Sequence, residues 1–382
     1  MKGNMPNLKL SLALVSVLTS AVLLFSCGSK KTKTVALKKD RVEIIDDASA
    51  AEREFEVDVP PSPIEKEKPK NIEVKFRLAF YNLENLFDTI DGTNLDEEYL
   101  PQGKMEWNTQ KYQNKLKNMA RVIDSIQPDF LGVCEIENYL VLSDLVKTSS
   151  HLSKYNAKIV HAESPDNRGI DVALIYLPGT GVFKNATTEL VSLDMLPVEV
   201  SDPSKPTRSI MVAHFNTKGT NHSILVNHWP SRSGGEIQSR VLRASAANSM
   251  RDYLMKRRDI KYWNAVGDFN DNPTDSSIVQ VLKAGDNPAW AVNLALIKRV
   301  AEPNLGTLRY KGMWDLFDQI IVSPSFYNVG PGNNIPSQQI YLRDWLLQKD
   351  GNFAGYPLRT FGGKTYLNGY SDHLPVYVDL EM

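Results

Sequence analysis

Cysteine is nearly absent from this chain of 382 residues, with Cys27 and Cys134 its only two. At most one internal disulfide can form, so a bridge-stapled scaffold is excluded, and a chain of this length can bury a core that needs none. Long apolar runs are scarce as well. An uncharged run from Leu10 to Phe25 falls short of the roughly 20 residues that a membrane span needs. Excess charge is also missing, since 44 Lys and Arg face 45 Asp and Glu. That balance excludes a broad basic surface for non-specific polyanion binding, so any contact with nucleic acid must be local. Internal repeats are absent too, and composition does not break after residue 75.

What is present begins with a leader. Lys2 and Lys9 precede the Leu10 to Phe25 run, the charge and length pattern of a signal peptide over residues 1–26. Leu24-Phe25-Ser26-Cys27 resembles the lipobox of bacterial lipoproteins, although Phe25 is bulkier than usual there. The resemblance implies cleavage before Cys27, lipid on that cysteine, and an exported chain anchored to a membrane of the bacterial cell envelope. An ordinary secretory signal and an uncleaved anchor are the other readings. With Cys27 lipidated, Cys134 has no partner. Loss of Lys2 and Lys9 from the 44 basic residues leaves 42 against 45 acidic. Residues 27–75 carry the lipidated cysteine and then a stretch rich in Lys, Asp and Glu, with Pro60, Pro61, Pro63 and Pro69. Such a composition cannot offset its own chain entropy and reads as a flexible tether.

From Phe76 to Met382 short apolar runs recur, each beside a polar cluster. Arg77–Tyr81 leads into Asn82-Leu83-Glu84-Asn85, and Asp129–Cys134 into Glu135. Ile224–Asn227 leads into His228-Trp229-Pro230-Ser231, and Tyr262–Val266 into Gly267-Asp268-Phe269-Asn270. Later strand-like runs are 169–176, 317–322 and 374–380. Two helices are expected between them. One is capped by Asn108 or Thr109, carries Tyr112, Leu116, Met119, Ala120 and Ile123 on one stripe, and stops at Gln127-Pro128. The second runs from about Glu236 to Arg257 with Val241, Leu242, Ala246, Met250 and Leu254 inward. Its Arg240, Arg243 and Arg251 form a solvated face or reach substrate phosphates. Strands outnumber helices, which favours sheets packed on each other with flanking helices over a doubly wound parallel sheet. The turn-rich segment from Gly330 to Tyr370, with a short helix at Trp345-Leu346, is a candidate loop near a site.

The polar clusters share a chemistry. Asp268 and Asn270 lie two apart, so in an extended segment both face one way; the same run also reads as an Asx turn. Together with Asn82, Glu135, Arg168, Asp171, His228, Asp318, Asp372 and His373 they supply carboxylates, amides and imidazoles without thiolate. That donor set suits magnesium, manganese or calcium better than zinc and leaves the histidines free to move protons. Hydrolysis of a phosphodiester needs such a kit: a base for the attacking water, positive charge for the phosphate oxygens, and help for the leaving group.

In order, Asn82, the Asp129–Glu135 run, Asn227–Ser231, Gly267–Asn270, Phe317-Asp318-Gln319-Ile320 and Ser371-Asp372-His373-Leu374-Pro375 resemble the motifs of the endonuclease/exonuclease/phosphatase superfamily. The likeness covers residues 76–382 and implies a four-layer α/β sandwich, with two packed mixed sheets flanked by helices, and a magnesium-dependent phosphoester hydrolase. The implied metal ligands are Glu135, with Asn82 beside it, and Asp372. The implied catalytic residues are His228, Asp268, Asn270, Asp318 and His373: Asp318 orients His373, the two histidines face each other across the phosphate, and Asp268 with Asn270 holds water and phosphate. Whether Asp268 or His373 takes the proton stays open at this stage. Arg168 is the candidate phosphate contact. Asp171 either orients His228 or shapes a turn, while His151, His161, His214 and His222 are read as structural. Asn-His-Trp-Pro-Ser leans toward the deoxyribonuclease-like branch and away from abasic-site nucleases. The expected substrate is nucleic acid or another phosphodiester. No protein partner is called for, and a monomer is expected.

Overall fold

The computed structural model describes residues 33–38, 41–46, 75–179, 187–200, 202–286, 289–327 and 336–382. The leader, Cys27 and most of the expected tether lie outside the described residues. Two strands within that tether, Lys33–Lys38 and Arg41–Asp46, pair antiparallel as a hairpin. They belong to one unit, Met1–Pro61, and the rest of the chain, Ser62–Met382, to another. Among the described residues no helix is long and apolar enough to cross a membrane.

In chain order the strands of the larger unit's two main sheets are β1 Lys75–Leu86, β2 Phe130–Ile136, β3 Lys158–His161, β4 Asp171–Tyr176, β5 Thr188–Leu196 and β6 Ile210–Thr217. There follow β7 Thr220–His228, β8 Tyr262–Asp268, β9 Val292–Asn293, β10 Asp318–Val322, β11 Gln339–Ile340 and β12 Val376–Glu381. They form two six-stranded sheets, ordered β11-β12-β1-β2-β4-β3 and β9-β10-β8-β7-β6-β5. The last strand thus returns to the first sheet, between β11 and β1. In each sheet one central pair is parallel, β1 with β2 and β7 with β8. The remaining pairings are antiparallel.

A parallel pair needs a crossover, and a helix supplies each one. Helix α1, Thr109–Ile126, joins β1 to β2; Asn108 caps it by accepting from the Lys111 N–H, and Gln127 ends it in a left-handed conformation. All five residues of its expected stripe are buried. Helices α2 Tyr139–Thr148 and α3 Ser150–Lys154 pack beside it. Helix α4, Glu236–Lys256, joins β7 to β8 and differs from expectation. Val241 is 70% exposed, and the buried stripe is Ser239, Arg243, Ala246, Ala247, Met250 and Leu254. The phase is turned because Arg243 points inward, where its guanidinium meets Asp271 at 2.7 Å. It is therefore neither a solvated cation nor a substrate contact, whereas Arg240 stays half exposed beside Glu236.

Three apolar layers separate four structural ones. Ala79, Tyr81, Leu131 and Val133 pack toward α1 and α2, while Leu78, Phe80, Phe130, Val226, Val266 and Ile320 fill the space between the sheets. Leu225, Ala265 and Ile321 face α4. Alternate residues of one strand therefore serve two layers, as a pleat requires. At Gly132 the sheets approach closely: a Cβ there would stand 2.7 Å from the Val266 methyl. The architecture is a four-layer α/β sandwich, as expected.

Candidate active site

Register sets the first row of the site. Asp268, the last residue of β8, pairs with His228 on β7 and with Asp318 on β10, so three polar side chains stand level across three strands. Gly267 just before it admits no side chain, since a Cβ would lie 2.4 Å from the Asn227 carbonyl oxygen. Asn270 follows with φ 51°. Its backbone N–H donates to Asp268 Oδ1 at 2.9 Å and its amide to the Trp229 carbonyl at 3.0 Å, so the Asx turn and the paired donors are one structure.

The first sheet brings the facing group. Asn82 Nδ2 donates to Glu135 Oε1 at 3.1 Å and to Asp268 Oδ2 at 3.2 Å, tying the ends of the two sheets together. Its own oxygen accepts from the Glu84 N–H at 2.9 Å, which fixes the amide with nitrogen toward the carboxylates. Glu135 sits at φ 58°, where the ladder between β2 and β4 shifts register, and accepts from the Asn85 N–H at 3.1 Å.

Two imidazoles approach Asp268 Oδ2, His228 Nε2 at 3.9 Å and His373 Nε2 at 3.7 Å. Their charge states are driven apart. Burial, then the positive charges of Arg208, Arg168 and His373, push His228 well below its ordinary value. Burial opposes charge on His373 too, but Asp318 and Asp268 outweigh it and hold the imidazolium well above its ordinary value. The Nδ1–H of His373 donates to Asp318 Oδ2 at 2.7 Å, and Ser371 Oγ accepts from its backbone N–H at 3.1 Å while donating to the Asn82 carbonyl. Burial raises Asp268 to about 7 against the pull of His373.

A further group has no counterpart in the expectations. Glu84, buried behind Asn82, accepts from Arg359 Nε at 2.9 Å and from the Thr360 N–H at 2.7 Å. Lys115 lies 3.8 Å from it, fully buried, donating to Thr360 Oγ1 and the Tyr370 carbonyl. Arg359 also reaches Asp372 at 3.0 Å, so the Gly330–Tyr370 segment does contribute to the site. Glu84 lies in the Asn82–Asn85 polar cluster, but only the fold shows that it is enclosed by cations. Arg208 is a second such residue: 5% exposed, it bridges Asp166 at 2.8 Å and the Trp229 carbonyl at 2.9 Å behind His228. A lone arginine between β5 and β6 gives no sequence signal. Arg168 is mostly exposed, with its Nε 3.4 Å from Asp166, close enough to bear on His228.

Asp171 does not orient His228. Its carboxylate bonds His161 Nε2 and the Ser164 N–H, both at 2.8 Å, in a cluster of its own. His151, His214 and His222 are likewise engaged elsewhere, with the Pro128 carbonyl, Ser223 and Thr217.

Asp268, Asp318 and His373 present ligand atoms within 4.8 Å of one another, a group able to hold a cation by distance. A protonated imidazole has no lone pair to give, so the Asp318–His373 pair is better read as a proton-holding one. The oxygens that then face the site belong to Glu135 and Asp268, both 3.9 Å from His228 Nε2. Carboxylate oxygens without sulfur fit a hard divalent ion. A depression of about 610 Å³ between α1 and α2 holds none of these residues.

Paired carboxylates, a neutral and a charged imidazole, and a hard-cation donor set make this a site for phosphoester chemistry. Residues 77–382 match the Endonuclease/Exonuclease/phosphatase family, and the chain belongs to it. Members of that family are phosphoester hydrolases. The fold is shared with a family protein from Bacteroides thetaiotaomicron, at 16% identity and a TM-score of 0.50 over 81% of this chain and 98% of that one. It is shared as well with TDP2 from C. elegans, at 12% identity and a TM-score of 0.50 over 82% and 77% of the two chains. D. rerio TDP2, complexed with a single-strand DNA product, gives 11% identity and a TM-score of 0.50 over 81% and 99%. No curated protein matches the chain.

Proposed function

We propose that this chain is a divalent-metal-dependent phosphodiesterase that cuts DNA or RNA outside the cytoplasm, tethered to a membrane through lipid on Cys27. The observation that carries the hydrolytic reading is the opposite polarisation of His228 and His373 about Asp268. Paired groups whose environments push their charge states apart mark acid and base roles. Asp268, raised to about 7, takes the proton of the attacking water. His373 stays charged against Asp318 and donates to the phosphate oxygens as negative charge grows on them. His228, neutral and held between Glu135 and Asp268, offers a hydrogen bond on the opposite side of the phosphate. Glu135, with Asp372 as a second carboxylate, would hold magnesium, or manganese or calcium in its place, while Asn82, whose amide nitrogen donates to Glu135, orients that carboxylate and does not ligate the ion. Such an ion, when bound, neutralises phosphate charge and is worth several kcal/mol. Asn270 steadies Asp268, and Arg168 extends the positive rim toward a neighbouring phosphate.

A second reading, a phospholipid or small phosphodiester as substrate, draws on the near balance of 44 basic and 45 acidic residues. Both are tested by one panel: plasmid, RNA, sphingomyelin and a bis-aryl phosphate, with magnesium and with a chelator. We expect plasmid or RNA cleavage that the chelator abolishes and that Asp268→Ala lowers by about 10²–10⁴-fold. Activity that survives both Asp268→Ala and His228→Ala would overturn the mechanism.

A further inference from the structure

Beside the carboxylates lies a cavity of about 210 Å³ that the hydrolytic steps leave unused. Its lining is mixed: Tyr99, Met105, Trp107 and Phe361 supply apolar, largely aromatic surface, and Glu84, Asn85, Arg359 and Thr360 supply polar surface. Tyr99 stacks on Phe87 with ring centroids 4.5 Å apart and planes 4° from parallel. Trp107 donates its indole N–H to the Phe87 carbonyl at 3.0 Å and meets Phe361 at 5.9 Å, so packing and a hydrogen bond hold the aromatic surface in place. The polar lining belongs to the site as well, since Glu84 holds Arg359 and the Thr360 N–H. Asn85 donates its N–H to Glu135, and Arg359 holds Asp372. The cavity therefore adjoins Glu135 and Asp372. Its volume is below the roughly 300–1,000 Å³ of pockets that take a whole drug-sized ligand. One ring fits where a strand does not. Aromatic neighbours favour an aromatic guest, and a guanidinium adds a flat cation over which such a ring can lie.

We infer that this cavity receives the aromatic ring of one ester substituent of the phosphoester, and so selects ring-bearing esters over alkyl ones. The inference rests on the reading of Glu135 and its neighbours as the phosphate site. It is tested by calorimetric titration of the full chain, with magnesium present, using phenyl phosphate and methyl phosphate. Phenyl phosphate should bind at least about tenfold more tightly, a margin typical of discrimination by a small apolar pocket. Tyr99→Leu and Met105→Ala should each cut that margin to below about threefold. Equal binding of the two phosphates, or a margin that both variants keep, would overturn the inference; if one variant fails to melt cooperatively, the other decides. Turnover of phenyl p-nitrophenyl phosphate and methyl p-nitrophenyl phosphate is followed separately. A ring preference in binding without turnover keeps the pocket and removes the hydrolytic reading, and turnover without the preference does the reverse.

Discussion

His228 and His373 show how little a residue's type says about its state. Each is buried, yet one is surrounded by arginines and the other by carboxylates. Asp318 is the lever. Asp318→Asn removes the charge that holds His373 protonated, so the imidazole should lose its proton at lower pH. A plot of kcat/KM against pH should rise through about 7 as Asp268 ionises, and in the variant its falling limb should move to lower pH. An unmoved limb would show that Asp318 positions the ring without setting its charge. The polar clusters at strand ends were legible in sequence, and the structure brings Asn82, Glu135, His228, Asp268, Asp318 and His373 together. What was not legible is the second set of contacts. Arg208 and Lys115 sit far from the motifs in sequence, and a single cation in an ordinary run carries no periodicity to betray it.

Elements were legible in proportion to their regularity. α1 has a cap, a clean stripe and a stop signal, and forms where expected. β5 was missed because it is an edge strand, with Glu189, Leu190, Val191 and Ser192 all exposed, so no alternation marks it. α4 was found but rotated, since hydrophobicity alone assigns an arginine outward. Arg243 is fully buried and Asp271 nearly so. Removing one partner of such a pair strands a charge, so Arg243→Ala should destabilise the protein by about 3–5 kcal/mol in denaturant unfolding. A cost under about 1 kcal/mol would mean that Arg232, 3.1 Å from Asp271, neutralises it unaided. Because Asp271 closes the turn after Asn270, activity should fall along with stability.

For the molecule as a whole, the space between the sheets also holds a titratable group away from the site. His222 lies among Phe76, Phe130 and Phe215, and burial pushes it down to about 3 from 6.5. The unfolded chain takes up a proton on this residue below about 6.5, and the folded one resists until about 3. Its contribution to stability is thus complete above 6.5 and lost as pH falls toward 3, at about 1.4 kcal/mol per unit. His222→Phe should flatten the decline of melting temperature between pH 6.5 and 4. An unchanged slope would assign acid sensitivity to other groups.

The return of β12 to the first sheet divides chemistry from chain order. A cut in the connection between β4 and β5 leaves Asn82, Glu135 and Arg168 on one piece, and His228, Asp268, Asp318 and His373 on the other. The second piece also carries β12, whose place lies against β1 of the first. Neither fragment has a working set alone, and their reunion must restore both the pairing of β12 with β1 and the apolar layer between the sheets. A chain split there would report, by the return of a complete polar set, that its two halves had met.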